Sequence, residues 1–76
     1  MTLARLLARA GVSRYKRSLF FGECLLVDSR LLVPDPDRAA SLDRLYGDVL
    51  RQVLPALTIV HEPHAGTLKA DAFRLR

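Results

Sequence analysis

Residues 24–54 read CLLVDSRLLVPDPDRAASLDRLYGDVLRQVL, and a change of rhythm inside this stretch decides the fold class. Two short apolar runs, residues 24–27 and 30–33, flank Asp28 and Ser29. Short apolar runs bounded by turn residues are strand signals, and a two-residue gap suits a tight hairpin. Pro34-Asp35-Pro36-Asp37 then breaks the pattern. Asp35 ahead of Pro36 marks a helix start: the carboxylate can accept first-turn N–H groups, and proline is preset for the first helical position. From there to about Leu54 the period becomes helical. Leu42, Leu45, Tyr46, Val49, Leu50 and Val53 form an apolar stripe, with Asp43, Arg44, Asp48, Arg51 and Gln52 opposite. Arg44 and Asp48 can pair at four-residue spacing, in the less favoured order. Gly47 costs this helix about 1 kcal/mol relative to Ala, and Pro55 stops it.

Towards the N-terminus, residues 2–10 read as a short helix. Thr2 caps it, Leu3, Leu6, Leu7 and Ala10 share one face, and Gly11 ends it. Ser13 caps a second short helix to about Phe21, and Gly22 stops that one. Towards the C-terminus, Leu57 to His61 is β-branched and reads as a strand. Residues 62–66 are turn-like. Thr67 to Arg76 alternates at its end, Phe73 and Leu75 against Arg74 and Arg76, which suggests the second strand of a C-terminal β-hairpin. The expected architecture is therefore α+β: one small domain over residues 1–76, with two short N-terminal helices, a β-hairpin, a longer amphipathic helix at about 36–54 and a C-terminal β-hairpin.

The chain has 76 residues, and half of them are hydrophobic, with a mean hydropathy of +0.12. A domain of this length buries only about 60% of the surface its unfolded chain exposes. Cys24 has no partner for an intrachain disulfide, and two histidines and one cysteine fall short of a closed zinc site. A partner is the remaining source of stability, since apolar surface that a small fold cannot hide marks interfaces. Leu3, Leu6 and Leu7 are the expected partner-facing residues; the stripe of the long helix reads first as core, with a helix-in-groove contact to a partner through Tyr46 as the alternative. No apolar run approaches the roughly 20 residues of a membrane-spanning helix.

Catalytic constellations are not visible. The glycines are scattered rather than gathered in a phosphate loop, and the serines lie in no nucleophile motif. Asp35 and Asp37 are accounted for by turn chemistry. His61 and His64 flank Glu62 and Pro63 near a turn. Cys24 sits in an apolar run without a nearby base. The expectation is a non-enzymatic protein with no catalytic, metal or cofactor residues.

The net charge of +4 is unevenly spread. Segment 1–22 carries Arg5, Arg9, Arg14, Lys16 and Arg17 without one acid, whereas residues 23–55 carry an acidic excess. A basic, amphipathic, acid-free segment has two functional readings. One is mitochondrial matrix targeting, with the segment kept as part of the fold; the other is contact with nucleic-acid phosphates. The plain alternative is a solvated basic helix face. Most of the bases are arginine, whose fork matches phosphate or carboxylate in two parallel bonds.

The run Arg5-Leu-Leu-Ala-Arg-Ala-Gly-Val-Ser-Arg14 is similar to the opening of S4-type RNA-binding domains, and Leu26-Val-Asp-Ser-Arg30 is similar to the strand and turn that follow in that family. The resemblance spans residues 5–33. It implies that two short helices and a strand present a basic surface to structured RNA, with Arg9, Arg14, Lys16 and Arg17 on the phosphates. Three functional expectations result. The first is a structural accessory subunit of a larger protein or ribonucleoprotein assembly, mitochondrial, in a ribosome or respiratory complex. The second is an S4-like RNA-binding module, and the third a regulator that binds a single protein.

Overall fold

A computed structural model describes residues 1–74 as α1 (Leu3–Arg9), α2 (Arg14–Phe21), β1 (Leu25–Val27), β2 (Arg30–Val33), α3 (Pro36–Val53), β3 (Thr58–His61) and α4 (Ala65–Arg74). The class is α+β, with four helices and a three-stranded sheet in the order β1-β2-β3.

Local chemistry sets the first two helices. The Thr2 hydroxyl accepts the Arg5 N–H at 3.2 Å, satisfying one of the donors a helix start leaves open. At the other end Gly11 takes φ +80°, the left-handed region that glycine enters without a Cβ penalty. The Gly11 N–H then donates to Ala8 O at 3.1 Å and the Val12 N–H to Leu7 O at 3.0 Å. This pair of bonds is a Schellman closure, in which an apolar residue just past the helix packs back on it; Val12 and Leu7 are both buried. Ser13 restarts the chain as cap of α2, its hydroxyl accepting the Lys16 N–H at 3.3 Å.

β1 and β2 pair antiparallel through Leu25↔Leu32, Leu26↔Leu31 and Val27↔Arg30, so Asp28 and Ser29 alone make the turn. Asp28 has φ +55°, a conformation a short polar side chain tolerates. Asp35 caps α3 as its position predicts, accepting from Asp37 N at 2.9 Å and Arg38 N at 3.5 Å, with Pro36 just inside the start. α3 crosses over the sheet and returns the chain as β3, parallel to β2 through Leu31↔Ile59 and Leu32↔Val60.

The register divides the sheet into two faces, because side chains alternate along each strand. Leu26, Leu31 and Ile59 share the face that carries the core. There Leu31 and Val33 of β2 meet Leu6, Leu42 and Leu50, all among the most buried side chains. Leu25, Leu32 and Val60 line up across the opposite face, each half-buried.

Three expectations need correction. The C-terminal hairpin is not formed: β3 joins β2 in the sheet, and residues 65–74 are the helix α4. Residues 75 and 76 lie outside the described part. The alternation was confined to the last few residues, whereas residues 65–72 include Ala65, Leu68, Lys69, Ala70 and Ala72, which are strong helix formers. Glu62 also supports the start of α4 by accepting the His64 N–H at 3.1 Å. Leu45, assigned to the apolar stripe of α3, is instead 61% exposed. Finally, the ion pair in α3 joins Arg51 to Asp43 at 2.8 Å, and Arg44 with Asp48 form none. The Arg51–Asp43 bridge passes directly over Gly47, where a Cβ would stand 2.7 Å from Arg51 Nη1 and 2.8 Å from Asp43 Oδ1. The glycine therefore makes room for the bridge. Arg51 Nε also donates to Leu57 O at 3.0 Å, fastening the end of α3 to the entry of β3.

Leu50 and Leu45 lie on opposite sides of α3 and give a direct contrast. Leu50→Ala, which empties core volume, is expected to cost about 2–5 kcal/mol. Leu45→Ala is expected to stay within about 0.5 kcal/mol. Urea unfolding of both variants checks this; equal losses would refute the assignment of faces.

Candidate nucleic-acid interface

The Schellman turn at Gly11 and the Ser13 cap place α1 and α2 in immediate succession, and the bases of segment 1–22 emerge from these two helices. Arg5 and Arg9 lie on α1, and Arg14 and Lys16 on the first turn of α2; all four are exposed. Among the described residues the ion pair found is Arg51 with Asp43, so none of these four has a carboxylate partner. The cap geometry adds to the field, since the first turn of a helix carries partial positive charge on its N–H groups. Arg14 and Lys16 stand in that turn.

Arg17 differs from the other expected phosphate contacts. It is half-buried, and its Nε donates to Val12 O at 2.8 Å, tying α2 to the turn that precedes it. Arg38 acts similarly, its Nη1 donating to Gly22 O at 2.7 Å and joining α3 to the end of α2. Together with Arg51, three arginines serve as internal clamps on backbone carbonyls.

The residues expected at a partner surface are mostly internal. Leu6 and Leu7 lie in the chain's own core, at 0% and 2% exposure. Leu3 is half-buried beside them. Tyr46 is half-buried in an aromatic cluster, its ring 5.4 Å from Phe21 edge-on and 6.0 Å from Phe20, and so it joins α3 to α2. Conversely, Tyr15 was not singled out from the sequence, yet it is 75% exposed between Arg14 and Lys16. The signal was present as an aromatic residue set within a basic run.

An open cleft of about 720 Å³ runs beside this region, between α1, α2, β1 and α4, lined by Leu3, Leu7, Phe21, Leu25 and Leu26 with Arg17 and Lys69 among them. Cys24 lies at its floor and is itself fully buried. Burial pushes the Cys24 thiol above its usual value of 9.0, against the opposing fields of Arg38 and Lys69. The thiol therefore stays protonated at neutral pH, unlike an activated nucleophile. His61 and His64 are exposed, and among the described residues no group of three or more His, Cys, Asp or Glu could hold a metal ion. No helix among them is long and apolar enough to cross a membrane.

No protein-family model, no curated protein and no solved structure matches the chain.

The raised Cys24 value predicts a pH effect on stability. The folded thiol keeps its proton at pH values where the unfolded thiol, titrating near 9.0, has lost it. The unfolded state then binds fewer protons, so this contribution is complete below the unfolded value and declines as pH rises towards the folded one. The stability difference between wild type and Cys24→Ala should accordingly shrink as pH rises through and above 9.0 in unfolding titrations. A difference independent of pH would refute the shift.

Proposed function

We propose that this chain is a non-enzymatic RNA-binding module of S4-like type, which contacts phosphates through the exposed bases of α1 and α2. The observation that carries the reading is the set Arg5, Arg9, Arg14 and Lys16, exposed on two consecutive capped helices with no acid in residues 1–22. A solvated protein surface normally mixes both signs of charge. A face of one sign attracts polyanions and releases their counterions on binding. The succession of two short helices and a strand over residues 3–33 is also the order the S4 resemblance implies.

A second reading, as a structural subunit of a larger ribonucleoprotein, draws on a separate observation. The row Leu25, Leu32 and Val60 crosses the sheet face opposite the core, and Leu45 projects from α3. Such apolar surface suits a protein neighbour and leaves the basic face available for RNA.

Salt dependence tests the RNA reading. The intact chain should bind structured RNA with an affinity that falls steeply with salt. Replacing Arg9, Arg14 and Lys16 together by Ala should reduce the slope of log K against log salt by about 2–3. Arg17 is left in place because of its bond to Val12 O. An unchanged slope would remove those residues from the interface, and binding confined to one protein, with none to RNA, would refute the reading.

A further inference from the structure

Tyr15 is the most exposed large apolar side chain among the described residues. Among the other described rings, Phe20 and Phe21 each pack on Tyr46, and Tyr15 belongs to neither pair. It stands in the first turn of α2 between Arg14 and Lys16, both exposed, and Leu19 follows one turn later on the same face at 55% exposure. Charge alone would make this face a contact for phosphates, and a solvated cationic face has no use for a bare ring. A ring and a leucine displayed among cations suit a ligand that presents anionic groups and flat apolar faces together.

We propose that Tyr15 stacks on an unpaired base, so that the RNA recognised carries a loop, bulge or single-stranded flank beside the phosphates held by Arg14 and Lys16. This inference rests on the RNA-binding reading and narrows its substrate class. In a continuous A-form duplex the base faces are covered by their neighbours, and a protein ring reaches a base face only where the stack is interrupted. Aromatic stacking is tolerant of base identity, because every base has a π-face. Tyr15 therefore selects a structural context, an exposed base, rather than a sequence. The flanking cations supply the sequence-independent attraction to the backbone on either side.

The test uses the intact chain and two RNAs with equal numbers of phosphates, a hairpin with 2-aminopurine in its loop and a blunt duplex. The wild type should bind the hairpin more tightly and quench its fluorescence. Tyr15→Leu keeps an apolar side chain but no π-face. It should weaken hairpin binding by about 5- to 150-fold, the equivalent of one lost stacked base, and abolish the quenching. Tyr15→Phe should retain both, and duplex affinity should not change in either variant. Equal affinity of the wild type for the two RNAs, or quenching that survives in Tyr15→Leu, would overturn this proposal and leave the basic-face reading standing. Failure of the wild type to bind either RNA would overturn both.

Discussion

Burial of Leu31 and Val33 on β2 is the constraint around which the rest of the structure is arranged. β2 is paired on both edges, antiparallel to β1 and parallel to β3. Its two inward side chains are fully buried. A parallel neighbour cannot be reached by a tight turn, so the chain needs a crossover long enough to span the sheet, and α3 is that crossover. Leu42 and Leu50 on α3 close over β2, while Leu6 and Leu7 on α1 and Phe21 on α2 complete the same cluster. The N-terminal helices are thus held as part of the core rather than as an appended segment. Among the described residues the large buried side chains gather in this one cluster, so a failure there has no second core to compensate for it.

Arginine has two separate uses in this molecule. Arg17, Arg38 and Arg51 each donate to a backbone carbonyl, at Val12, Gly22 and Leu57. Those carbonyls lie at the places where one helix or strand gives way to the next. A planar guanidinium with five donors can satisfy such a carbonyl while its stem covers apolar surface. Arg5, Arg9 and Arg14, by contrast, are exposed on α1 and α2. Arg17 and Arg38 tie α2 to the turn before it and to α3, and the two N-terminal helices fix the spacing of the exposed bases. The proposed RNA contact depends on the fold through this chain of attachments.

Much of the architecture was legible from residues with a local mechanism. Thr2, Ser13 and Asp35 each cap the helix their position announced, Gly11 closes α1, and the two apolar runs around Asp28 and Ser29 pair as the first hairpin. What could not be read locally was decided by tertiary contact. The partner of β3 is β2, many residues earlier, and no short-range pattern records that pairing. Leu45 fits the helical stripe of α3 by spacing, but the sheet covers a narrower arc of that helix than the stripe allows. At the candidate site, the exposed bases Arg9, Arg14 and Lys16 were visible as an acid-free run. The inward role of Arg17 was hidden, since it depends on a carbonyl turned towards it by the Gly11 turn. Leu6 and Leu7 were read as surplus apolar surface because composition counts hydrophobic residues without showing how closely a small core can gather them, whereas Tyr46 packs against the core as the stripe of its helix implied. Tyr15 was overlooked for the converse reason: an aromatic residue is expected inside until a structure places it outside.

The most direct test of the central claim is an amide chemical-shift map of the intact, isotope-labelled chain titrated with a structured RNA hairpin. The account predicts that the perturbed amides cluster in α1, the Gly11–Ser13 turn and the first turn of α2, while β1, β2, β3 and the buried side of α3 are unchanged. Perturbation centred on the sheet face that carries Leu25, Leu32 and Val60, with α1 and α2 silent, would contradict it.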